Sequence, residues 1–358
     1  PGINIHAFTA TATKEVQADI LAQLRFDKAQ RNSASVDRQN LTYRVMPRAN
    51  VISQITGVLE KHSGDAGIIY CLRRSDVDNI SGRLNKLGFK NLPYHAGLSD
   101  EERHLNQDQF IREEVNIIVA TVAFGMGIDR SDIRFVIHAA MPKSIEHYHQ
   151  ETGRAGRDGL PSCCYMFYGG GDFGVWKFFS QASANRDVML DKLRIIYNFC
   201  TQPQCRHKVF VNYFGQEYAQ SSCQACDYCL SEVDMVDDPI GVGQKILNCI
   251  DSVKYGDGHG FGAGYVADIL KGNPTSQIVR WGHQSNPSFA AMPSETLVSI
   301  RYLIEQLLGQ GFLERQGEYS TLSLTGLGRR LLNGEITPIL AKLLVAARKK
   351  EISARQKS

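Results

Sequence analysis

The chain has 358 residues, of which 43% are hydrophobic and 22% are charged, a composition typical of globular proteins with room for two or three domains. No apolar stretch approaches the ~18–20 residues that cross a bilayer, which excludes a membrane-spanning class, and no charged-then-apolar leader opens the chain. The net charge of +3 permits nucleic acid as a partner without requiring it.

The first 168 residues predict a parallel sheet covered by helices. A helix around Lys14–Leu24 leads into a polar link that ends at residue 47. Short apolar strands are expected at 67–71, 116–120, 134–139 and 163–168, alternating with helices at 76–87, from 99 onward and at 144–150. Ser99 and Glu102 form a capping box at the start of the second of these helices. Such alternation is typical of a parallel sheet, whose functional loops lie at the carboxyl ends of its strands.

The pattern changes after residues 169–172. Residues 185–237 predict helices followed by a cysteine-rich segment, and Asp237-Asp-Pro239 marks a linker. The remaining segment, 240–335, predicts helices at 240–253, 265–270 and 295–308 and two short strands around 316–317. Three helices followed by a β-hairpin are the outline of a winged helix. The glycine-rich stretch 256–264 is interpreted as a flexible connector in preference to a phosphate-binding loop, because no Gly-Lys-Ser/Thr follows it.

Residues 147–159 form the most informative run, His-Tyr-His-Gln-Glu-Thr-Gly-Arg-Ala-Gly-Arg-Asp-Gly. Arg154 and Arg157 lie three residues apart in a glycine-rich turn, just after a polar helix that carries Gln150. Two guanidinium groups so placed suit a phosphate chain, because arginine keeps its charge and donates in pairs to phosphate oxygens. The alternative interpretation is a surface turn with two solvated arginines.

A second run, residues 120–129, directly follows a predicted strand. The Thr121 hydroxyl is placed to meet a nucleic-acid phosphate, and Gly127 permits a tight loop. Asp129 can bond a ribose hydroxyl, hold an arginine in place, or serve as a simple turn residue. Two weaker signals precede this run. Thr11 is a candidate contact to a phosphate backbone or part of a helix cap, and His95 is a candidate DNA-facing residue or a satisfied loop histidine.

Four of the nine cysteines follow the spacing of a metal site. Cys205, Cys223, Cys226 and Cys229 form the pattern C-x17-C-x2-C-x2-C. Four thiolates suit a closed tetrahedral Zn²⁺ site of the structural kind, with no open position for chemistry. A disulfide framework fits less well, because the spacing is tight and the cysteine usage indicates a reducing, cytoplasmic setting. Cys200, five residues before Cys205, is an alternative first ligand.

Five segments follow one another from Thr9 to Gly159, namely TATAT, IIYC, YHAGL, ATVAFGMGID and QETGRAGRDG. Together they closely resemble the second motor lobe of RecQ-family DNA helicases, and the resemblance runs from Pro1 to about residue 335. It implies an α/β fold class, with a RecA-like parallel-sheet helicase lobe followed by a helical four-cysteine zinc-binding subdomain and a winged-helix domain. It also places the first zinc ligand just before the segment Arg206–Gly215, which selects Cys205 over Cys200.

The resemblance assigns roles in ATP hydrolysis. Arg157 would be the arginine finger that stabilises charge on the transferred phosphoryl group, and Arg154 would sense the nucleotide. Gln150, Asp129 and Gly127 are the further nucleotide-binding candidates, and the implied cofactors are structural Zn²⁺, ATP and Mg²⁺. The sequence lacks the motifs G-x-x-x-x-G-K-[ST] and Asp-Glu-x-His. We therefore expect a fragment that is inactive as an ATPase on its own.

Single-stranded DNA and duplex or forked DNA are the implied partners. In a winged helix one helix faces the phosphate backbone and the wing wedges at the end of a duplex. The candidates in this domain are Arg280, Ser294, Thr296, Ser299, Arg301 and Tyr319. Tyr319, near the wing tip, either stacks on an end base pair or packs on its own strand. The candidates on the helicase lobe are Thr11, Arg74, His95 and Thr121.

We expect five segments. They are the end of the first motor lobe with a link (1–47), the second RecA-like lobe (48–180), the zinc-binding subdomain (181–237), the winged helix (238–335) and a solvated basic tail (336–358). The expected function is that of the C-terminal part of an ATP-dependent 3′→5′ DNA helicase in replication, recombination and repair, in a bacterial cytoplasm near the nucleoid or in a nucleus. The alternatives are an ATPase-inactive DNA-binding or annealing module of the same architecture and an RNA helicase of the same superfamily. No membrane partner is expected, and repair or replication protein partners are left open.

Overall fold

A computed structural model describes residues 6–9, 12–25, 30–125, 129–181, 185–254, 260–317 and 320–343. The chain divides into two compact units. The first comprises residues 1–200 and 204–232, and the second comprises residues 201–203 and 233–358. None of the helices in the described part of the chain has the length and the apolar character that a membrane span requires.

The first unit is built on a six-stranded sheet. Its strands are β1 (Leu41–Pro47), β2 (Ala66–Tyr70), β3 (Leu92–Tyr94), β4 (Ile117–Ala120), β5 (Ile133–His138) and β6 (Ser162–Tyr168). They lie in the order β1-β6-β5-β2-β4-β3, and every neighbouring pair is parallel. All five residues of β2 and three of the four residues of β4 are buried, as is usual for strands covered on both faces. The predicted parallel sheet is confirmed.

Eight helices accompany this sheet in the described residues. They are α1 (Lys14–Gln23), α2 (Val51–Lys61), α3 (Arg74–Lys86), α4 (Asp100–Ile111), α5 (Ile145–Thr152), α6 (Gly170–Ser180), α7 (Arg186–Thr201) and α8 (Arg206–Tyr213). Ser99 caps α4, and the Glu102 carboxylate accepts a hydrogen bond from the Ser99 backbone amide, so the predicted capping box is present. α2 buries a stripe of four apolar side chains, Ile52, Ile55, Val58 and Leu59.

Strand β1 corrects the sequence interpretation, because it lies inside the stretch predicted to be a polar link. It runs in register beside β6, from Leu41 opposite Ser162 to Pro47 opposite Tyr168. Leu41, Tyr43 and Val45 are buried, whereas the residues between them are less so. The polar side chains of Thr42 and Arg44 interrupt the apolar residues, so the sequence of 41–47 does not by itself predict a strand. The prediction of a link is therefore wrong for residues 41–47.

The second unit is helical with one small sheet. Its elements are α9 (Pro239–Ser252), α10 (Ala263–Lys271), α11 (Ser276–Arg280), a 3-10 turn (His283–Ser285), α12 (Leu297–Gly309), β7 (Leu313–Gln316), β8 (Thr321–Leu324) and α13 (Gly326–Leu332). β7 and β8 form an antiparallel hairpin. The core is apolar and includes Leu247, Leu270, Ile304 and Leu307. The predicted winged-helix outline is present, with α11 and α13 added to it. Residues 255–259 of the glycine-rich stretch lie outside the described residues.

Candidate functional site

The arginine-bearing turn joins α5 to β6. Ser144 caps α5 by accepting a hydrogen bond from the amide of His147, and the helix ends at Thr152. The Gly156 amide then donates to the carbonyl oxygen of Ile133, the first residue of β5, over 2.9 Å, and Gly156 has φ +57°. The turn therefore lies at the amino end of β5. A helix that follows a parallel strand returns the chain to the opposite edge of the sheet, which accounts for this position.

Arg154 is half-buried and forms a hydrogen bond with the loop that follows β4. Its Nη1 atom donates to the carbonyl oxygen of Gly125 over 2.5 Å. A Cβ atom at Gly125 would overlap the Arg154 guanidinium, so the absence of a side chain there makes this contact possible. The Tyr70 hydroxyl donates to the neighbouring carbonyl of Phe124 over 3.1 Å. Burial raises the pKa of Tyr70, and the nearby Arg154 charge opposes that rise.

Arg157 forms an ion pair with Asp129 in the same loop. Nη1 of Arg157 lies 3.1 Å from Oδ1 of Asp129, and the two side chains are 38% and 93% exposed. Of the roles predicted for Asp129, holding an arginine is the one seen in this conformation. Gln150 is exposed on α5, and Gly127 lies outside the described residues. Both arginines of the turn thus contact the segment between β4 and β5.

A buried polar pair that the sequence interpretation missed lies behind this turn. Nε2 of His138, the last residue of β5, is 2.6 Å from Oε2 of Glu151 on α5, and the side chains are 1% and 8% exposed. The His138 ring also lies 5.3 Å from the Tyr70 ring and 4.8 Å from the Tyr148 ring, between centroids. Glu151 precedes Arg154 by three residues, so the pair fixes the end of α5 from which the turn departs. A histidine directly after the apolar run 135–137 was the available signal.

The DNA-facing candidates of the first unit divide into two groups. Arg74 is exposed at the start of α3, and Thr121 is half-buried directly after β4. Both follow the carboxyl ends of strands. His95 is buried, its Nε2 lies 3.0 Å from Oδ1 of Asp78, and its Nδ1 accepts a hydrogen bond from the Gly97 amide. In this conformation both ring nitrogens of His95 are engaged within the lobe, and its DNA-facing role stays a prediction. Thr11 lies outside the described residues.

The four cysteines of the predicted metal site lie together. The Sγ atoms of Cys205, Cys223, Cys226 and Cys229 all lie within 4.8 Å of one another. A tetrahedral Zn²⁺ site with Zn–S bonds of ~2.3 Å has sulfur–sulfur edges of about 3.8 Å, so the donor set fits this ion. Backbone amides of Lys208, Ala225 and Cys229 donate to three of the sulfurs over 3.4–3.5 Å. Such donors favour the thiolate form that zinc requires.

Cys200 does not belong to this cluster. It is buried elsewhere in the first unit, with its Sγ atom 3.2 Å from the sulfur of Met166. Burial raises its pKa, as it raises the pKa of Cys223 to about 12. A bound cation at the four-cysteine cluster would provide the charge that stabilises the thiolate forms of its ligands.

The cysteine loop is attached to β1 by hydrogen bonds, and a buried ion pair joins the loop to α8. Nε and Nη2 of Arg206 lie 2.9 and 3.1 Å from the two carboxylate oxygens of Asp227. Asp227 also accepts from the amides of Val45 and Tyr228, over 2.9 and 2.8 Å. The Tyr43 amide donates to Ala225, and the Asp227 amide donates to Tyr43. The metal centre and the edge of the sheet are therefore one connected structure.

The candidate DNA contacts of the winged helix differ in their exposure to solvent. Arg280, Ser294 and Arg301 are exposed, whereas Thr296 uses its hydroxyl oxygen to cap α12 by accepting from the Ser299 amide. Ser299 is buried and donates its hydroxyl to Oε2 of Glu295 over 2.6 Å. This turn of α12 faces the core, and the role of Ser299 as a phosphate contact stays a prediction. Tyr319, predicted to lie near the wing tip, falls outside the described residues.

Three sequence families match consecutive parts of the chain. They are the helicase conserved C-terminal domain over residues 49–159, the RecQ zinc-binding family over residues 170–230 and the RQC domain over residues 238–350. These ranges follow the lobe, the cysteine centre and the winged helix. The residue boundaries proposed from the sequence remain predictions.

Curated relatives match nearly the whole chain. The ATP-dependent DNA helicase RecQ of Bacillus subtilis is 34% identical over 347 residues, which cover 96% of this chain and 58% of that protein. The protein of the same name from Pasteurella multocida is 36% identical over 94% of this chain and 53% of its own length. A RecQ-like DNA helicase of Caenorhabditis elegans is 30% identical over 99% of this chain and 38% of its own length. The chain thus spans about half the length of the two bacterial relatives.

Proposed function

Because this chain belongs to the RecQ family of helicases, we propose that it supplies the charge-stabilising part of an ATP-dependent DNA motor, with Arg157 as its arginine finger. The motor would unwind DNA in the 3′→5′ direction during replication, recombination and repair. The observation that carries the proposal is the exposed Arg157–Asp129 pair in the arginine turn. An exposed aspartate is a weak partner, so a nucleotide phosphate can replace it without the cost of breaking a buried ion pair.

The geometry of the turn supports separate roles for its two arginines. Arg154 is half-buried and fixed to the Gly125 carbonyl, so it is suited to sense whether the loop between β4 and β5 has moved. Arg157 carries the more exposed guanidinium, which suits it to reach a phosphate presented from outside this lobe. The charge that develops on a transferred phosphoryl group would then be stabilised by a guanidinium positioned in advance.

The nucleotide would also contact a second lobe, which carries the motifs that bind phosphates and Mg²⁺. The sequence contains no G-x-x-x-x-G-K-[ST] loop to cradle phosphates and no Asp-Glu-x-His motif to hold Mg²⁺. We therefore propose that ATP and Mg²⁺ bind on a nucleotide-binding lobe that faces the arginine turn. The chain alone is expected to bind DNA without hydrolysing ATP.

The remaining parts supply structure and DNA contact. Zinc is structural in this chain, as the match to the RecQ zinc-binding family and the four-cysteine cluster support. We propose that the exposed cations Arg280 and Arg301 of the winged helix, with Arg74 and Thr121 of the lobe, contact the DNA backbone. Such contacts position a duplex without reading its sequence.

A steady-state ATPase assay tests the finger role. A nucleotide-binding lobe from a relative is joined in cis ahead of this chain, and DNA-stimulated hydrolysis is measured for wild type and Arg157→Ala. The variant is expected to lose about 10³-fold or more in kcat, with KM for ATP and DNA binding nearly unchanged. Arg194→Ala is the matched control, because Arg194 is also a surface arginine paired with an aspartate. Turnover of Arg157→Ala within about twofold of this control contradicts the finger role.

A salt titration tests the DNA contacts separately. Fluorescence anisotropy with a labelled DNA fork is followed against ionic strength for the chain alone. Each of Arg280→Ala and Arg301→Ala is expected to reduce the slope of log K against log salt by about 0.9. Arg329→Ala, an exposed arginine of α13, serves as the control. Unchanged slopes would remove these two residues from the interface, and equal affinity for a matched RNA fork would favour an RNA-directed motor.

A further inference from the structure

The segment that precedes β1 lies against the arginine turn, residues 153–161 between α5 and β6. A hydrogen bond from the amide of Leu41 to the carbonyl oxygen of Arg38, over 2.9 Å, closes a tight turn in this segment. Nε of Arg38 donates to Oδ1 of Asn40 over 3.4 Å, and both side chains are half-buried. The Arg38 and Asn40 side chains therefore form a pair, and their other donor groups face the arginine turn.

This pair binds three carbonyl groups of the arginine turn. Nη2 of Arg38 donates to the carbonyl oxygens of Ala155 and Gly156, over 3.2 and 2.8 Å. Nδ2 of Asn40 donates to the carbonyl oxygens of Gly156 and Leu160, over 2.9 and 3.0 Å. Hydrogen bonds from a guanidinium are stronger than those between neutral groups, because arginine keeps its charge. The backbone between and just after the two arginines of the turn is thus bound by side chains from outside the turn.

Gly156 is the residue on which these contacts converge. Its φ of +57° lies in the left-handed region, which glycine adopts at little cost. Its amide donates to the carbonyl oxygen of Ile133 over 2.9 Å, while its own carbonyl oxygen accepts from both Arg38 and Asn40. A Cβ atom at this position would lie 2.5 Å from Nδ2 of Asn40, so the Asn40 amide fits only beside glycine. The backbone that leads into Arg157 is therefore held at both polar groups of Gly156.

The segment that carries the pair is itself anchored to its surroundings. The amide of Val36 donates to Oε1 of Gln216 over 3.0 Å, and the carbonyl oxygen of Val36 accepts from Nε2 of His149 on α5 over 3.1 Å. On the other side of the pair, the amide of Ser162 donates to the carbonyl oxygen of Asn40 over 2.9 Å. The two side chains therefore reach the arginine turn from a backbone that is fixed before and after them.

We propose, on the basis of the finger role inferred above for Arg157, that Arg38 and Asn40 are positioning residues. They hold the arginine turn in the conformation from which Arg157 reaches a nucleotide phosphate. Both side chains act through the backbone of the turn and not by contact with ATP. A guanidinium that is already in place when charge develops on the phosphoryl group stabilises this charge more than one that must first be ordered. Loss of the pair should therefore lower kcat and leave KM for ATP nearly unchanged.

Hydrogen–deuterium exchange of the zinc-loaded chain tests whether the pair holds the turn, without recourse to ATP hydrolysis. Asn40→Asp keeps the size of the side chain but presents an acceptor to two carbonyl oxygens, and Arg38→Ala removes the guanidinium. In each variant the Gly156 amide is expected to exchange about tenfold faster or more, because the lost hydrogen bonds favour local opening of the turn. Continued protection of β4 in the same samples shows that the opening is local.

Arg44→Ala is the matched control for exchange. Arg44 is another half-buried arginine near the start of β1, but its guanidinium binds the carboxylate of Glu232. This variant should leave exchange at Gly156 within about twofold of wild type. Exchange in Asn40→Asp and Arg38→Ala that is as slow as in the control would overturn the proposal. If one of the two test variants does not fold, the other decides.

DNA-stimulated ATP hydrolysis, measured on the chain joined to a nucleotide-binding lobe, tests whether the pair acts through Arg157. Arg38→Ala is expected to lower kcat about 10–100-fold with KM for ATP within about twofold, because a displacement near 1 Å has effects of this size. In the Arg157→Ala background the same change should lower kcat by less than about twofold, since both changes remove one interaction. An equal loss in the two backgrounds would overturn the proposal.

The positioning role and the finger role fail in different ways. A kcat for Arg157→Ala equal to that of its control refutes the finger role, and exchange at Gly156 then still decides whether the pair holds the turn. A large loss for Arg157→Ala that the folded variants Arg38→Ala and Asn40→Asp do not share refutes the positioning role alone.

Discussion

Replacing Asp227 by alanine tests how much this buried carboxylate stabilises the packing of the cysteine loop against α8 and β1. The Arg206 and Asp227 side chains are 3% and 5% exposed, so the variant leaves a buried guanidinium without its carboxylate partner. Breaking a buried pair by removing one partner costs about 3–5 kcal/mol, and the amides of Val45 and Tyr228 lose their acceptor as well. We expect a loss near 4 kcal/mol, which is a large fraction of the about 5–15 kcal/mol by which domains of this size are stable.

Urea unfolding measured by tryptophan fluorescence gives this quantity. The chain has two tryptophans, one in each unit, so a Trp281→Phe background leaves Trp176 as the reporter of the first unit. The control is Asp191→Ala, which removes a similar arginine–aspartate contact with side chains 65% and 67% exposed. The control should cost no more than about 1 kcal/mol. A loss for Asp227→Ala below 1 kcal/mol, or equal to that of the control, refutes the reasoning from burial.

Three further outcomes are expected. Cys226→Ser or a chelator should unfold residues 185–237, seen as a loss of helical circular dichroism together with zinc release, because metal binding contributes folding energy. Gly67→Ala should lower the free energy of unfolding by about 1–3 kcal/mol, because a methyl group there overlaps the phenylalanine ring of β5. Gly82→Ala places its methyl group in open space and should stabilise α3 by about 0.5–1 kcal/mol. Burial raises the pKa of Glu146, but hydrogen bonds, above all the one from Lys192, lower this pKa to about 2 overall. The contribution of the Glu146 carboxylate to stability should therefore be lost as the pH falls from 4.5 towards 2. Acid titration of Glu146→Gln, which should show a flatter limb in this range, checks the last point.

The sequence predicted those parts of the fold in which local pattern and burial agree. Strands β2, β4, β5 and β6 are rich in apolar residues, as expected for strands that helices cover on both faces, and each was placed within one residue at either end. The cysteine cluster was also predictable, because ligand spacing along the chain is set by the geometry of one ion. The structure brings all four sulfurs together as the spacing requires.

Tertiary contacts decided the features that the sequence did not predict. β1 is a strand because β6 and the cysteine loop pair with it. The sequence of β1 itself does not reveal these two pairing partners. His95 is occupied by Asp78, seventeen residues earlier, and Ser299 by Glu295, so both polar side chains turn inward. The arginine turn lies at the amino end of β5 because α5 carries the chain back across the sheet. Motif spacing gives the identity of such residues but not the direction in which they face.

The pairing between the cysteine loop and Tyr43 has a consequence for handling the protein. β1 is the outermost strand of its sheet, seven residues long, and its outward backbone groups at Tyr43 are satisfied by residues 225 and 227. Without zinc to hold that loop, these groups would face solvent beside buried apolar side chains, and an exposed strand of this kind recruits strands from other molecules. The metal therefore also protects against intermolecular strand pairing, and zinc-depleted samples should lose solubility as protein concentration rises.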